Sequence, residues 1–253
     1  MMARLLHAFR SALGFSGCLC ICATVLAADW PRIAMPPGVS AFAVGEQFTA
    51  NGLPMRVQGF VARDQSVQAL ASWFRRSLGQ PLVENKLGSK LILGRAEEGY
   101  YLSVQLEALE VDGGAASKGL LLVSDLATLN RNRDADASSA QRWLGRWPSG
   151  TRLLSRMTSQ DQGRASLHVV LSNGHSESLN RDALIAIMKE DGLALVRESG
   201  TPKSIGLPAA LRNARALFFT GQRKQGIATI ARDEQGQTTV VLNTTTDLES
   251  APP

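Results

Sequence analysis

Apolar and polar residues alternate along GVSAFAVGEQFTANGLPMRVQGFV from Gly38, with Phe42, Val44 and Phe48 before the Asn51-Gly52 pair and Met55, Val57 and Val61 after it. Alternation around Asn-Gly predicts two antiparallel strands, because both central residues of a tight hairpin turn must accept a positive φ. The period then lengthens. Val67, Leu70, Ala71, Phe74 and Leu78 recur at three- and four-residue spacing, with Asp64 or Ser66 available as a cap and Gly79 as a stop, which predicts a helix with one buried face. After the apolar burst Pro81-Leu82-Val83 come three strand-like runs, 90–94, 100–106 and 119–124, separated by Glu97-Glu98-Gly99 and Asp112-Gly113-Gly114. These are turn residues of a meander, so the unit reads ββαβββ.

The order returns from Gly150. Strands are predicted at 151–159 and 164–172 around Asp161-Gln162-Gly163, and a helix at 176–190 presents Leu184, Ile187 and Met188, capped by Ser176 or Ser178. Gly192 stops it, Leu195-Val196 is the second burst, and runs at 216–219, 226–231 and 238–243 turn at Lys224-Gln225-Gly226 and Glu234-Gln235-Gly236. Gly38 and Gly150 are 112 apart and Gly79 and Gly192 are 113 apart; the offset grows to 127 between Gly99 and Gly226, because ESGTPKSIGLPAALRN intervenes in the second copy. Two such copies predict a duplicated α+β domain rather than a solenoid, which needs more repeats of shorter period. The expected organisation is a leader (1–28), a first ββαβββ domain (29–125), a polar linker (126–141), a second ββαβββ domain (142–245) and a frayed tail (246–253). Separate domains and edge-to-edge joining of the two sheets both fit this reading. Several strands are apolar at every position, among them Leu91-Ile92-Leu93, Leu120 to Val123, and Val240-Val241-Leu242. Such strands normally have both faces covered, by the other domain or by a partner.

The first 28 residues place Arg4, His7 and Arg10 ahead of an apolar run from Ser11 to Leu26 and end on small residues. This is the pattern of a secretory signal peptide cut after Ala27 or Ala28. The run falls short of the roughly 20 residues that span a bilayer, so an uncleaved anchor is the lesser reading. Lipidation at Cys18 fits poorly, since it would leave ten mostly apolar residues on the mature chain. Cys18, Cys20 and Cys22 all lie in the leader, so the mature chain holds no disulfide or thiolate and must rely on its core. Removing Arg4 and Arg10 from 27 basic residues leaves 25 against 22 acidic ones, a mild +3. That balance, in an exported protein, argues against nucleic-acid binding. The expected location is the periplasm or beyond the cell.

No nucleophile elbow, zinc-binding His-Glu-x-x-His, phosphate loop or dinucleotide fingerprint occurs. Of the two histidines beyond the leader, His168 lies within an alternating strand and His175 in the turn before the second helix. Two histidines fall short of the three protein ligands of a catalytic zinc. Glu97-Glu98 and Asp233-Glu234 sit in hairpin turns and read as solvated residues. Trp73 and Arg76 lie off the main stripe of the first helix and are candidate partner contacts, as are Trp143 and Trp147, four residues apart, though packing of the last two indoles is the commoner outcome.

The element order resembles small helix-on-sheet domains of bacterial envelope proteins. The expectation is therefore an exported, non-catalytic accessory or interaction protein, without cofactor or metal, that binds an envelope protein in a system such as secretion or pilus assembly. A periplasmic small-molecule or lipid binder using a groove between the domains is the alternative. A hydrolase assembled across domains around His168 or His175 is a more distant one.

Overall fold

The computed structural model describes residues 30–44, 47–111, 115–200 and 214–248. The leader, the Asp112-Gly113-Gly114 turn, residues 201–213 of the insertion and the last five residues lie outside the described residues. The first half comprises β1 (Ser40–Ala43), β2 (Gln47–Ala50), β3 (Leu53–Ala62), α1 (Val67–Leu78), β4 (Val83–Leu87), β5 (Lys90–Glu97), β6 (Tyr100–Leu109) and β7 (Ala116–Asp125). After α2 (Leu126–Leu144) come β8 (Arg152–Asp161), β9 (Arg164–Asn173), α3 (Glu177–Glu190), β10 (Leu193–Gly200), β11 (Arg215–Gly221), β12 (Lys224–Arg232) and β13 (Thr238–Asp247).

Four points of the sequence reading are corrected. Both apolar bursts lead into hydrogen-bonded strands, β4 and β10, so each half runs ββαββββ, with β1 as an addition to the first. The segment expected as a polar linker forms most of α2. Its shortage of apolar residues means that α2 has no buried residue, not that it lacks a helix, and Asp125 starts it by accepting from the Thr128 N–H at 2.7 Å and the Thr128 hydroxyl at 2.6 Å. The turn placed at Lys224-Gln225-Gly226 comes earlier, because Gly221 already pairs with Lys224 around Gln222-Arg223. The tail also begins in order: Thr246 and Asp247 extend β13, and the Leu248 N–H reaches the Gly163 carbonyl at 2.6 Å.

The local signals held where the chemistry is local. Asn51 and Gly52 take φ of 50° and 81° in the hairpin joining β2 to β3. Ser66 and Ser176 are the caps, each accepting at 3.2 Å from the N–H three residues on.

The strands form one antiparallel sheet, ordered β10-β11-β12-β13-β9-β8-β2-β3-β7-β6-β5-β4, with β1 alongside β3. The order within one half matches that within the other, and the halves meet edge to edge through β2 and β8, where Gln47 to Ala50 pair with Gln160 to Met157. This joint removes one exposed edge from each half. Asn51 extends it, its N–H donating to the Arg156 carbonyl and its side-chain oxygen accepting from the Arg156 N–H, both at 2.8 Å.

Register shows which side chains share a face. Phe60, Gly119 and Leu106 are neighbours across three strands, and Phe60 meets Phe74 of α1 at 6.0 Å. The buried Leu70, Ala71, Phe74 and Leu78 seat α1 on this face, each large side chain contributing about 1.5–3 kcal/mol by burial. Through Pro54, Thr49 and Thr158 the same face continues across the joint to Leu167, Val169 and Leu171. There α3 packs Leu184, Ile187 and Met188 into a core shared with Leu217, Ile230, Val240 and Leu242. α2 lies over the joint on this side too, since Thr49, Pro54 and Thr158 line the space beside it. All three described helices therefore occupy one face of the sheet.

Candidate interaction surface

The opposite face carries no described helix, and its side chains follow from the register. One row runs Ile92, Gln105, Leu120, Gly59, Phe42 across five strands. The next runs Gly94, Ser103, Leu122, Val57. A third, Tyr101, Ser124, Met55, Phe48, Ser159, Ser166, crosses the joint, and a fourth runs Ala50, Met157, His168, Asn243, Ile227, Phe218, Arg197 into the second half. In these rows Arg197 alone carries a fixed charge, and its guanidinium lies 4.0 Å from the Phe218 ring centre. Depletion of charge with enrichment in aromatics and Met is the composition of an interface core rather than of a solvated sheet face.

Two glycines shape this surface. A Cβ on Gly59 would overlap the Phe42 ring, and one on Gly94 would overlap the Tyr101 hydroxyl end. Each aromatic therefore lies down over a glycine and presents a ring face, which covers the backbone and keeps the surface low. Phe42 is nevertheless 54% exposed.

The sheet edges are protected. At β4 the Asn85 side-chain oxygen takes up the Lys86 N–H at 2.8 Å, and Arg75 holds Glu84 through two hydrogen bonds of 2.7 and 2.9 Å. At β10 a bulge at Val196 breaks the register. Such features disfavour addition of a further strand, so contact through the face is the open route.

The residues singled out from the sequence fall elsewhere. Trp73 is partly exposed on α1 and sets its ring edge-on to Phe74 at 5.0 Å, and Arg76 is exposed beside it. Trp147 is 5% exposed within the core of the second half, its ring tilted by 54° against the partly buried Trp143 at 5.6 Å. Trp147 is thus a packing residue. Arg146 between them ties the end of α2 to α3, reaching Asp191 at 2.8 Å, Glu190 at 3.0 Å and the Ile187 carbonyl at 3.1 Å. The Asp191 hydrogen bond, ahead of Glu190, raises the Arg146 pKa. The four candidates are not brought together and none reaches the helix-free face.

His168 does point to that face, where Nδ1 and the Asn243 side-chain oxygen are 2.6 Å apart. His175 Nε2 lies 2.8 Å from the Ser149 carbonyl oxygen. Among the described residues no cluster of three His, Cys, Asp or Glu could hold a metal ion, and no helix is long and apolar enough to cross a membrane. The signal that locates the surface was in the sequence, in strands apolar at every position such as 120–123, but periodicity alone does not say which side the helices take.

No family model and no curated protein matches the chain. Among solved structures it is similar to the apo structure of the immunity protein TplEi of the T6SS from Pseudomonas aeruginosa, at 13% identity over 87% of this chain and 85% of that one, with a TM-score of 0.29. A score that low carries no argument about fold or function.

Proposed function

We propose that the mature chain is a non-catalytic interaction protein of the bacterial cell envelope, exported by its leader, that binds a protein partner through the helix-free face. The observation that carries the reading is the run of charge-poor rows across that face. At about 33 Å² of sheet per side chain, from the strand spacing and the two-residue repeat, about twenty such positions cover an area on the order of the 800 Å² that one partner buries in a standard interface. In this reading the halves are copies of one duplicated domain, supported by their matching strand order, and the system served is one of secretion or pilus assembly. Trp73 and Arg76 would form a separate contact on the helix side.

The test is affinity capture from envelope extract with mature wild type and with Leu122→Lys, which puts a charge at the centre of the face without touching the helix-side core. The expected result is one protein enriched by wild type and lost with the variant, at unchanged circular dichroism. Co-purified lipid with no protein partner, or a partner retained equally by Leu122→Lys, overturns the reading.

A further inference from the structure

The helix-free face differs between the two halves. On β5, β6, β7 and β3 of the first half it carries Ile92, Leu120, Leu122, Val57 and Met55. The matching strands of the second half put Thr220, Thr229, Gln225, Asn243, Thr245 and Ser166 on it. The apolar patch is therefore centred on the first half, where the sheet runs β4-β5-β6-β7-β3 and ends on the β1 and β2 edge. Four rows across these six strand positions, at about 33 Å² a side chain, cover about 800 Å², the area each side of a standard interface buries.

The patch complements itself. Its middle lies between β6 and β7, and the cross-strand pairs that straddle this line on the helix-free face are unlike: Tyr101 beside Ser124, Ser103 beside Leu122, Gln105 beside Leu120, and Glu107 beside Lys118. Lys118 and Glu107 approach to 3.7 Å. A half turn about an axis along the strands at this line lays β6 of one copy over β7 of another and keeps every row level. Each residue then faces, on the other copy, the residue that is its own neighbour in the sheet. Leucine and tyrosine face serine, which lets two sheets approach to the roughly 10 Å of a face-to-face sandwich. Lysine faces glutamate, so the charged row bounding the patch attracts a copy of itself. We infer that this face takes a second copy of the chain, docked first half to first half in a two-fold, sheet-on-sheet dimer whose axis runs between β6 and β7. The inference rests on the reading that the face binds protein, and names one such partner.

Sedimentation equilibrium of the purified mature protein at tens of micromolar should give a dimer, and Leu122→Lys a monomer, at unchanged circular dichroism. Lys118 is exposed, and Lys118→Glu sets carboxylates on both strands at the axis. It should weaken self-association about tenfold or more, as like charges brought together imply; Glu107→Lys should do the same with ammonium groups. An equimolar mixture of these two variants should pair again as a heterodimer, because each then faces the opposite charge. A variant weakened only through its own fold does not show that recovery. Monomeric wild type, a dimer indifferent to Leu122→Lys, or a mixture that fails to pair overturns the inference. If the wild type is monomeric and Leu122→Lys still loses a captured envelope protein, this inference falls and the envelope-partner reading stands. A dimer of the expected charge pattern that captures no other envelope protein has the opposite meaning.

Discussion

Asn180 has no exposed surface, and its polar side chain is tolerated because Asn173 answers it. The two amides exchange hydrogen bonds of 2.7 and 2.9 Å, Asn180 also donates to the Ser176 carbonyl at 3.0 Å, and Asn173 donates to Thr151 at 3.0 Å. The pair pins the first turn of α3 to the end of β9. Asn180→Ala leaves one buried Asn173 N–H without its acceptor, while Asn173 Oδ1 keeps the His175 N–H and Nδ2 keeps Thr151, and should cost about 1–3 kcal/mol, read as a lower urea midpoint at unchanged slope. A second residue-scale test uses Glu198, whose carboxyl the Arg181 hydrogen bond, and then Arg215, hold below its ordinary value of 4.5. A depressed folded value means the contribution is present above the unfolded pKa and is lost as pH falls through the folded one. Acid titration should therefore show stability falling below about pH 4.5, with a shallower fall in Glu198→Gln.

At the scale of elements, α2 differs from α1 and α3 in what holds it. The other two are seated by buried apolar stripes, whereas α2 depends on its ends: the Asp125 cap at one, and at the other Trp143 and Leu144 against the second core with the Arg146 cluster of Glu190 and Asp191. Burial pushes the Asp125 carboxyl up, but the hydrogen bonds from Thr128 outweigh it and leave the group below its ordinary value. Asp125→Ala should cost about 1 kcal/mol. Arg146→Met should cost roughly 1 kcal/mol, discounted because Asp191 is well exposed. Hydrogen exchange should place the loss in both variants within α2 rather than in the sheet. The linker reading missed the helix because it weighed apolar content alone, while Leu, Ala, Arg and Gln are good helix formers.

On the scale of the whole molecule, one sheet carries two cores. The second, from Trp147 to Leu242, draws all its buried members from its own half, and the β2 and β8 joint pairs four residues of each strand. A fragment of residues 142–248 should therefore fold alone and unfold cooperatively in urea, with near-ultraviolet dichroism from the Trp143 and Trp147 pair as the readout. A fragment that stays unfolded would mean the joint is a condition for folding rather than a contact between formed halves.

Turns, caps and the buried stripes of α1 and α3 were legible in the chain because each depends on neighbours within a few residues: Asn51-Gly52 accepts positive φ, and Ser66 and Ser176 reach an N–H three positions on. The recurrence of element order was legible for the same reason. The joining of the halves was not, since β2 and β8 meet across more than a hundred residues and nothing local marks either as an edge that will be paired. Nor was the face. Leu120 to Val123 announced apolar side chains on both sides, but the placement of the three described helices on one side, leaving Leu122 and Tyr101 on the other, follows from long-range packing around Phe60 and Leu171. The groove beneath α2 belongs to the same level, because it exists only once a helix with no fully buried residue is laid across that joint.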